Sequence, residues 1–227
     1  MKEHTGISNP HSLAPLKVES IYLMDTEFLL HPYKLMYVPK YKAILVADLH
    51  LGKISHFRKN GIPIPIDAID TNTLKLDHAI RQFNPEHLYF LGDLFHSDWN
   101  QEFEGFARWR AQYDAVFMHL VIGNHEILEK EHYEAMGLSV YEEIMLGPFL
   151  LSHQSVETTH YNLTGHLHPA IRLTGKALQS ITLPCFYFEE KHGVLPAFGA
   201  FTGYKAIQPK RGSQVILIDK EKLIPIK

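Results

Sequence analysis

A chain of 227 residues, 45% hydrophobic and 11% aromatic, is long enough to bury one full core and too apolar to be disordered as a whole. A net charge of -3 and a pI near 6.6 exclude a global basic field, so a polyanionic partner has to be met by a local patch. One cysteine, Cys185, excludes an internal disulfide, Met1 to Ser20 lacks the apolar run of a secretory signal, and no stretch approaches the roughly 20 apolar residues that cross a bilayer; a cytoplasmic protein without a membrane partner is expected.

Residues 1–18 are polar, carry Pro10 and Pro15, and are expected to form an N-terminal arm before a single domain over 19–227. Apolar runs at Ile21–Met24, Phe28–His31 and Leu35–Val38 predict antiparallel strands. In the next stretch, Lys42 to His50, the small and β-branched run Ile44 to Ala47 predicts a strand buried on both faces, and it stops at Asp48 and His50. In an open α/β sheet such a strand end faces the crevice where ligands bind. Gly52 to Asn60 predicts a short helical turn carrying Lys53, His56, Arg58 and Lys59, closed by Gly61 and Pro63. These basic side chains serve either as a grip on phosphate or as a solvated face.

From Asp67 onward Ile69, Thr73, Leu76, Ile80 and Phe83 fall on one helical stripe, which Asn84-Pro85 ends. Leu88 to Leu91 predicts a strand stopping at Gly92-Asp93. A helix is predicted over Gln101 to Gln112, with Asn100 as a cap and Phe103 and Phe106 facing inward. Ala115 to Ile122 then predicts a strand ending in Gly123-Asn124-His125-Glu126, followed by a short helix near Leu128 to Met136. The remainder reads as strands at Ile144–Met145, Phe149–Ser152, Tyr161–Thr164, Ser180–Phe188 and Gln214–Ile218, with no repeat or linker.

Sixteen histidines are more than packing ordinarily uses, and several fall at strand ends. Asp48-Leu49-His50, Gly92-Asp93, Gly123-Asn124-His125, His153 and Gly165-His166-Leu167-His168 each follow a strand and each offers oxygen or nitrogen donors without a thiolate. Asp48, His50, Asp93, Asn124, His153, His166 and His168 make seven donors, too many for one ion that must also keep a water. Two metals sharing a bridging carboxylate fit that count. Asp93, placed centrally and preceded by Gly92, is the natural bridge.

The order of these clusters over residues 48–168 resembles the calcineurin-like metallophosphoesterase superfamily. Within it, Leu49-His50-Leu51-Gly52-Lys53, Phe57-Arg58, Gly61-Ile62-Pro63, His168-Pro169 and Leu195 to Gly203 resemble the ligase-associated DNA damage response endonuclease family, PdeM. Gly92 to His96 is similar to a segment of SbcD-type nucleases, and Tyr204 stands where the PdeM pattern has a second glycine. The resemblance implies an α/β sandwich of two mixed β-sheets flanked by helices. It places Asp48, His50, Asp93 and His168 on one metal, Asp93, Asn124, His153 and His166 on the other, and leaves His125 as the general acid.

Carboxylate, amide and imidazole donors suit Mn²⁺, Fe or Zn²⁺ rather than Ca²⁺, and the family's habit points to Mn²⁺. The resemblance further implies a phosphodiesterase acting on DNA in repair, beside a DNA ligase or helicase. Lys53, Arg58, His96 and Trp99 are the expected substrate contacts, although His96 serves equally well to orient a metal ligand and Phe95 is better placed in the core. Two alternatives stand beside this one. The first is the same chemistry on a small nucleotide-type phosphoester; the second, disfavoured by the intact donors and His125, is a non-catalytic scaffold such as the retromer subunit on this fold.

Overall fold

The structure is a computed structural model and describes residues 15–53, 67–95, 101–126, 128–175, 179–199 and 202–226. The expected arm is therefore outside the described residues up to position 14, as is the helical turn beyond Lys53. Among the described residues no helix is long and apolar enough to cross a membrane.

The first sheet begins as an antiparallel meander of β1 (Glu19–Leu23), β2 (Thr26–His31) and β3 (Leu35–Val38), joined to β4 (Ala43–Val46). It continues in parallel through β5 (His87–Leu91), β6 (Phe117–Val121) and β7 (Leu138–Tyr141). The crossovers carry α1 (Asp67–Phe83), α2 (Gln101–Arg110) and α3 (Lys130–Ala135). Because β4, β5 and β6 are parallel, their carboxyl ends open on one edge. Leu35 pairs with Val46, so the turn joining β2 to β3 lies on that same edge.

Alternation along the strands decides what covers each face. Ile44, Val46, Leu88, Phe90, Met118 and Leu120 pack against Leu76 and Ile80 of α1, Phe103, Phe106 and Trp109 of α2 and Tyr133 of α3. Ala43, Leu45, Ala47, Tyr89, Leu91 and Val121 face the second sheet, meeting Phe149, Leu151, Leu163, Phe186, Phe188 and Ile216. The predicted stripe of α1 thus points inward at Leu76 and Ile80. It stops where Asn84 turns to φ 45° and donates its N–H to the Ile80 carbonyl, just before Pro85. Asp77 of α1 accepts hydrogen bonds from Trp109 and Tyr113, locking the first two helices together.

The second sheet has nine strands in the order β14-β11-β12-β13-β10-β9-β8, with β15 and β16 added beside β12. They are β8 (Ile144–Leu146), β9 (Phe149–Leu151), β10 (Tyr161–Thr164), β11 (Pro169–Thr174), β12 (Ser180–Phe188), β13 (His192–Val194), β14 (Lys205–Ala206), β15 (Gln214–Asp219) and β16 (Lys222–Ile226). Both sheets mix parallel and antiparallel pairs, which is the sandwich expected from the sequence, with the helices on the outer face of the first sheet.

Several boundaries differ from expectation. The second helix ends at Arg110 and the strand after it starts at Phe117, because Ala111 to Val116 is used up in a chain of turns. Strands β11, β13, β14 and β16 carry too few alternating apolar residues to announce themselves, and β7, although Leu138 and Val140 alternate with Ser139, is only four residues long. Strand β16 even contains Pro225; among the described residues it pairs with β15 alone, the edge position at which proline is tolerated.

Candidate metal centre

The loops leaving β4 and β5 run side by side past the end of the sheet. Asp48 donates its N–H to the Gly92 carbonyl at 3.2 Å, His50 to that of Asp93 at 2.9 Å and Leu51 to that of Leu94 at 2.9 Å. From the second sheet, β9 and β10 are parallel, so His153 and the Gly165–His168 segment emerge together, tied by the Gly165 N–H to the His153 carbonyl at 3.1 Å. Ala47 bridges to Ala197, bringing the two sheets edge to edge at this point.

The donors expected from the sequence converge there. Asp48, His50 and His168 form one cluster, Asp93, His153 and His166 a second, and His50, Asp93 and His125 a third, with the donor atoms of each cluster within 4.8 Å of one another. Asp93 faces both ways: Oδ2 lies 3.7 Å from His50 Nε2, and Oδ1 lies 3.4 Å from His153 Nε2. Asn124 points its Oδ1 at His153 Nε2, 2.9 Å away. Asp48 is completely buried and accepts the His166 N–H through both carboxylate oxygens.

Hydrogen bonds on the far side of each ring make this donor set suit cations. His153 Nδ1 lies 3.0 Å from the Leu91 carbonyl, which can only accept, so Nδ1 carries the proton. The Nε2 lone pair then faces Asp93 Oδ1, Asn124 Oδ1 and, at 3.1 Å, His166 Nδ1. Electron-rich atoms gathered in this way repel unless positive charge lies among them. His168 repeats the pattern: its Nδ1 donates to the Gly203 carbonyl at 3.1 Å, while its buried Nε2 makes no hydrogen bond and sits 3.4 Å from Asp48 Oδ1. Burial and the neighbouring His153 hold the His166 pKa below the ordinary histidine range, which keeps that ring a neutral donor.

Backbone conformation serves the same convergence. Asp48, His50, Asp93, His166 and His168 have φ of 55°, 47°, 50°, 63° and 50°, a left-handed region that residues other than glycine enter at a cost. Gly92, at φ 78°, lies so close to the His153 ring that an added Cβ would overlap it. At Gly123 the same atom would strike the Asp93 carboxylate and the backbone beneath it.

Glu126 belongs to the site although no role was expected for it. Its partly buried carboxylate accepts the N–H groups of Asp93 at 3.0 Å, Leu94 at 2.6 Å and Gly123 at 2.6 Å, fastening the β5 and β6 loops to each other. Burial and the Asp93 charge push its pKa up to about 7, against the pull of those three donors. Its place after Gly123-Asn124-His125 was the available signal. An amide offers one oxygen where the carboxylate offers two, so Glu126→Gln is expected to strand at least one N–H at a cost of about 1–3 kcal/mol. Metal-free protein should then melt several degrees lower, at roughly 2–4 °C per kcal/mol for this size, and divalent loading should weaken. Unchanged melting and loading would mean that the three bonds do not hold the loops.

His125 stands over the cluster with its side chain 40% exposed; its N–H donates to Asp93 Oδ1 at 3.1 Å and its Nε2 lies 3.9 Å from Asp93 Oδ2. Lys53 is at the rim, where burial lowers its pKa and the Asp93 charge raises it. Arg58, His96 and Trp99 lie outside the described residues. Phe95 stacks on Phe103 at 3.8 Å and is core, as expected.

Residues 195–199 and, further on, 202–205 strap one side: Gly199 donates its N–H to the Asp48 carbonyl at 3.0 Å, and Lys205 donates to the His168 carbonyl at 3.0 Å.

The family profile of calcineurin-like phosphoesterases matches residues 41–192, which include every donor named above. Among solved structures, the chain is similar to a nuclease of Pseudomonas putida, MPE, with 27% identity over 92% of this chain and 100% of that one, at a TM-score of 0.79. It also matches Yfce, a phosphoesterase from E. coli, with 12% identity over 80% of this chain and 96% of that one, at a TM-score of 0.41. No curated protein matches the sequence.

Proposed function

The chain belongs to the calcineurin-like phosphoesterase family and is a hydrolytic metallophosphoesterase, and from that premise we propose that it is a two-metal phosphodiesterase that cuts DNA in the service of repair. The observation that carries the reading is the convergence of the donors into adjoining clusters linked through Asp93, in a chain alike over 92% of its length, at 27% identity, to a protein solved as a nuclease. Asp48, His50, Asp93 and His168 would hold one divalent cation and Asp93, Asn124, His153 and His166 the other, with Mn²⁺ the favoured ion. Bound there, the pair would supply Lewis acidity toward the phosphoryl oxygens and a water acidic enough to attack near neutral pH.

The chain's own residues do the rest. Asp93 offers one carboxylate oxygen to each cluster and so fixes their separation. The carbonyls of Leu91 and Gly203 hold His153 and His168 in the tautomers that turn their lone pairs inward. His125, partly exposed above the cluster, is placed to give a proton to the oxygen that leaves the phosphorus. The cytoplasm, and work beside a DNA ligase or helicase, complete the proposal.

Chelated protein reloaded with Mn²⁺, Fe²⁺ or Zn²⁺ and offered single-stranded DNA, duplex DNA, RNA and small phosphodiesters tests the reading. Cleavage of DNA, strongest with Mn²⁺, is expected. Turnover confined to small phosphodiesters would replace the DNA reading with a small-nucleotide one.

A further inference from the structure

Beside the centre, on the side closed by the strap, two lysines and a tyrosine are arranged in a way the metal site does not explain. Lys34 sits in the β2–β3 turn at φ 66°, its N–H bonded to the His31 carbonyl at 2.9 Å, on the edge where β4 delivers Asp48. Its Nζ lies 5.8 Å from the centre of the Tyr204 ring. Tyr204 is 49% exposed and follows directly on Gly203, the residue whose carbonyl fixes His168. From α1, Lys75 comes to the same turn, with Nζ 5.7 Å from the centre of the Tyr33 ring.

Among the described residues neither Lys34 nor Lys75 lies within ion-pair distance of a carboxylate, unlike Lys42, Lys130 and Lys210. Both are partly buried. Burial, and then the Lys75 charge, push the Lys34 pKa down to about 8, and burial lowers that of Lys75. Keeping two partly buried cations near enough to feel each other's charge, each beside a ring, costs free energy that an anion between them would return. Lys34 lies on the edge where β4 delivers Asp48, and the half-exposed Tyr204 ring beside it has a face on which a base could stack.

We propose that Lys34, Lys75 and Tyr204 form a strand-holding subsite on the His168 side of the metal centre, in which the two ammonium groups bind a backbone phosphate of the substrate and the tyrosine ring stacks on the adjoining base. The proposal rests on the nucleic-acid reading above and adds to it the place where the strand is gripped.

The test uses metal-loaded protein and a fluorescent single-stranded oligonucleotide with non-hydrolysable linkages, titrated at several salt concentrations. Lys34→Ala with Lys75→Ala should raise Kd about tenfold or more and flatten the plot of log K against log salt by roughly 0.7 for each phosphate left without its ammonium partner. Tyr204→Ala should weaken binding about ten- to a hundredfold with little change of slope, and Tyr204→Phe should retain it. Lys34→Arg, which keeps the charge, should bind close to wild type. Metal content and melting temperature check that each variant keeps its fold and centre. Variants that match wild type in Kd and slope would overturn the subsite alone. A double variant that loses its metals would make the lysines supports of the centre and overturn it as well. Wild-type protein that binds no oligonucleotide would bring down the nucleic-acid reading and the subsite with it.

Discussion

Asp93→Asn protein is expected to lose both of the proposed divalent ions together, retaining well under one equivalent where two are expected for wild type. Asp93 is 2% exposed and offers separate oxygens toward the His50 and His153 sides of the centre, so a neutral amide removes charge compensation from two cations in one step. The loss should exceed the roughly 10–100-fold in affinity that follows from disturbing a group one step outside the coordination shell. His168→Ala should behave differently: that ring belongs to the Asp48 and His50 cluster, so one ion should weaken well before the other. Elemental analysis after gel filtration reads both results. Near-full loading of Asp93→Asn with two equivalents would remove Asp93 as the bridge.

Why so much of this centre is visible in the sequence, and why parts of it are not, follows from the distance over which each interaction acts. A strand buried on both faces must be an unbroken apolar run, so Ile44 to Ala47 and Leu88 to Leu91 mark their own ends, and the polar residues after them are conspicuous. The glycines before Asp93, Asn124 and His166 are equally local, since each lies where a Cβ would meet a neighbouring side chain of the centre. Glu126 leaves no such mark because its partners are backbone N–H groups, which no residue type reveals. The tautomers of His153 and His168 depend on carbonyls far away in the chain. Lys34 and Lys75 belong to different elements, a turn and a helix, and only the fold brings Lys34 to the Tyr204 ring and Lys75 to the Tyr33 ring of the same turn.

Strand β11 is missed for a related reason. Its Arg172, Leu173 and Thr174 are exposed, as are Thr182, Ile181 and Ser180 opposite them on β12, so that end of the hairpin is held by its backbone ladder, and β12 is legible only through its buried second half. Where two faces are covered the pattern is plain, and where neither is covered it vanishes.

His125→Ala is expected to keep its metals and yet lose about 10² to 10⁴ in turnover on a phosphodiester with an alkoxide leaving group. The His125 N–H already anchors the loop on Asp93 Oδ1, so truncating the ring leaves that bond and the neighbouring Asn124 in place. The ring itself lies across the cluster, 5.3 Å from His50 between centres, with its side chain 40% exposed and open to a substrate. A group so placed can protonate a departing oxygen, and its absence is felt in proportion to how badly that oxygen needs a proton. A bis-nitrophenyl diester, whose leaving group departs as a stable anion, should therefore suffer a much smaller loss in the same variant. Because His125 also falls within 4.8 Å of His50 and Asp93 donors, metal content has to be measured beside the rates. Intact metals with unequal losses on the two diesters are the signature of a general acid; equal losses, or a missing ion, would place His125 among the residues that hold the metals.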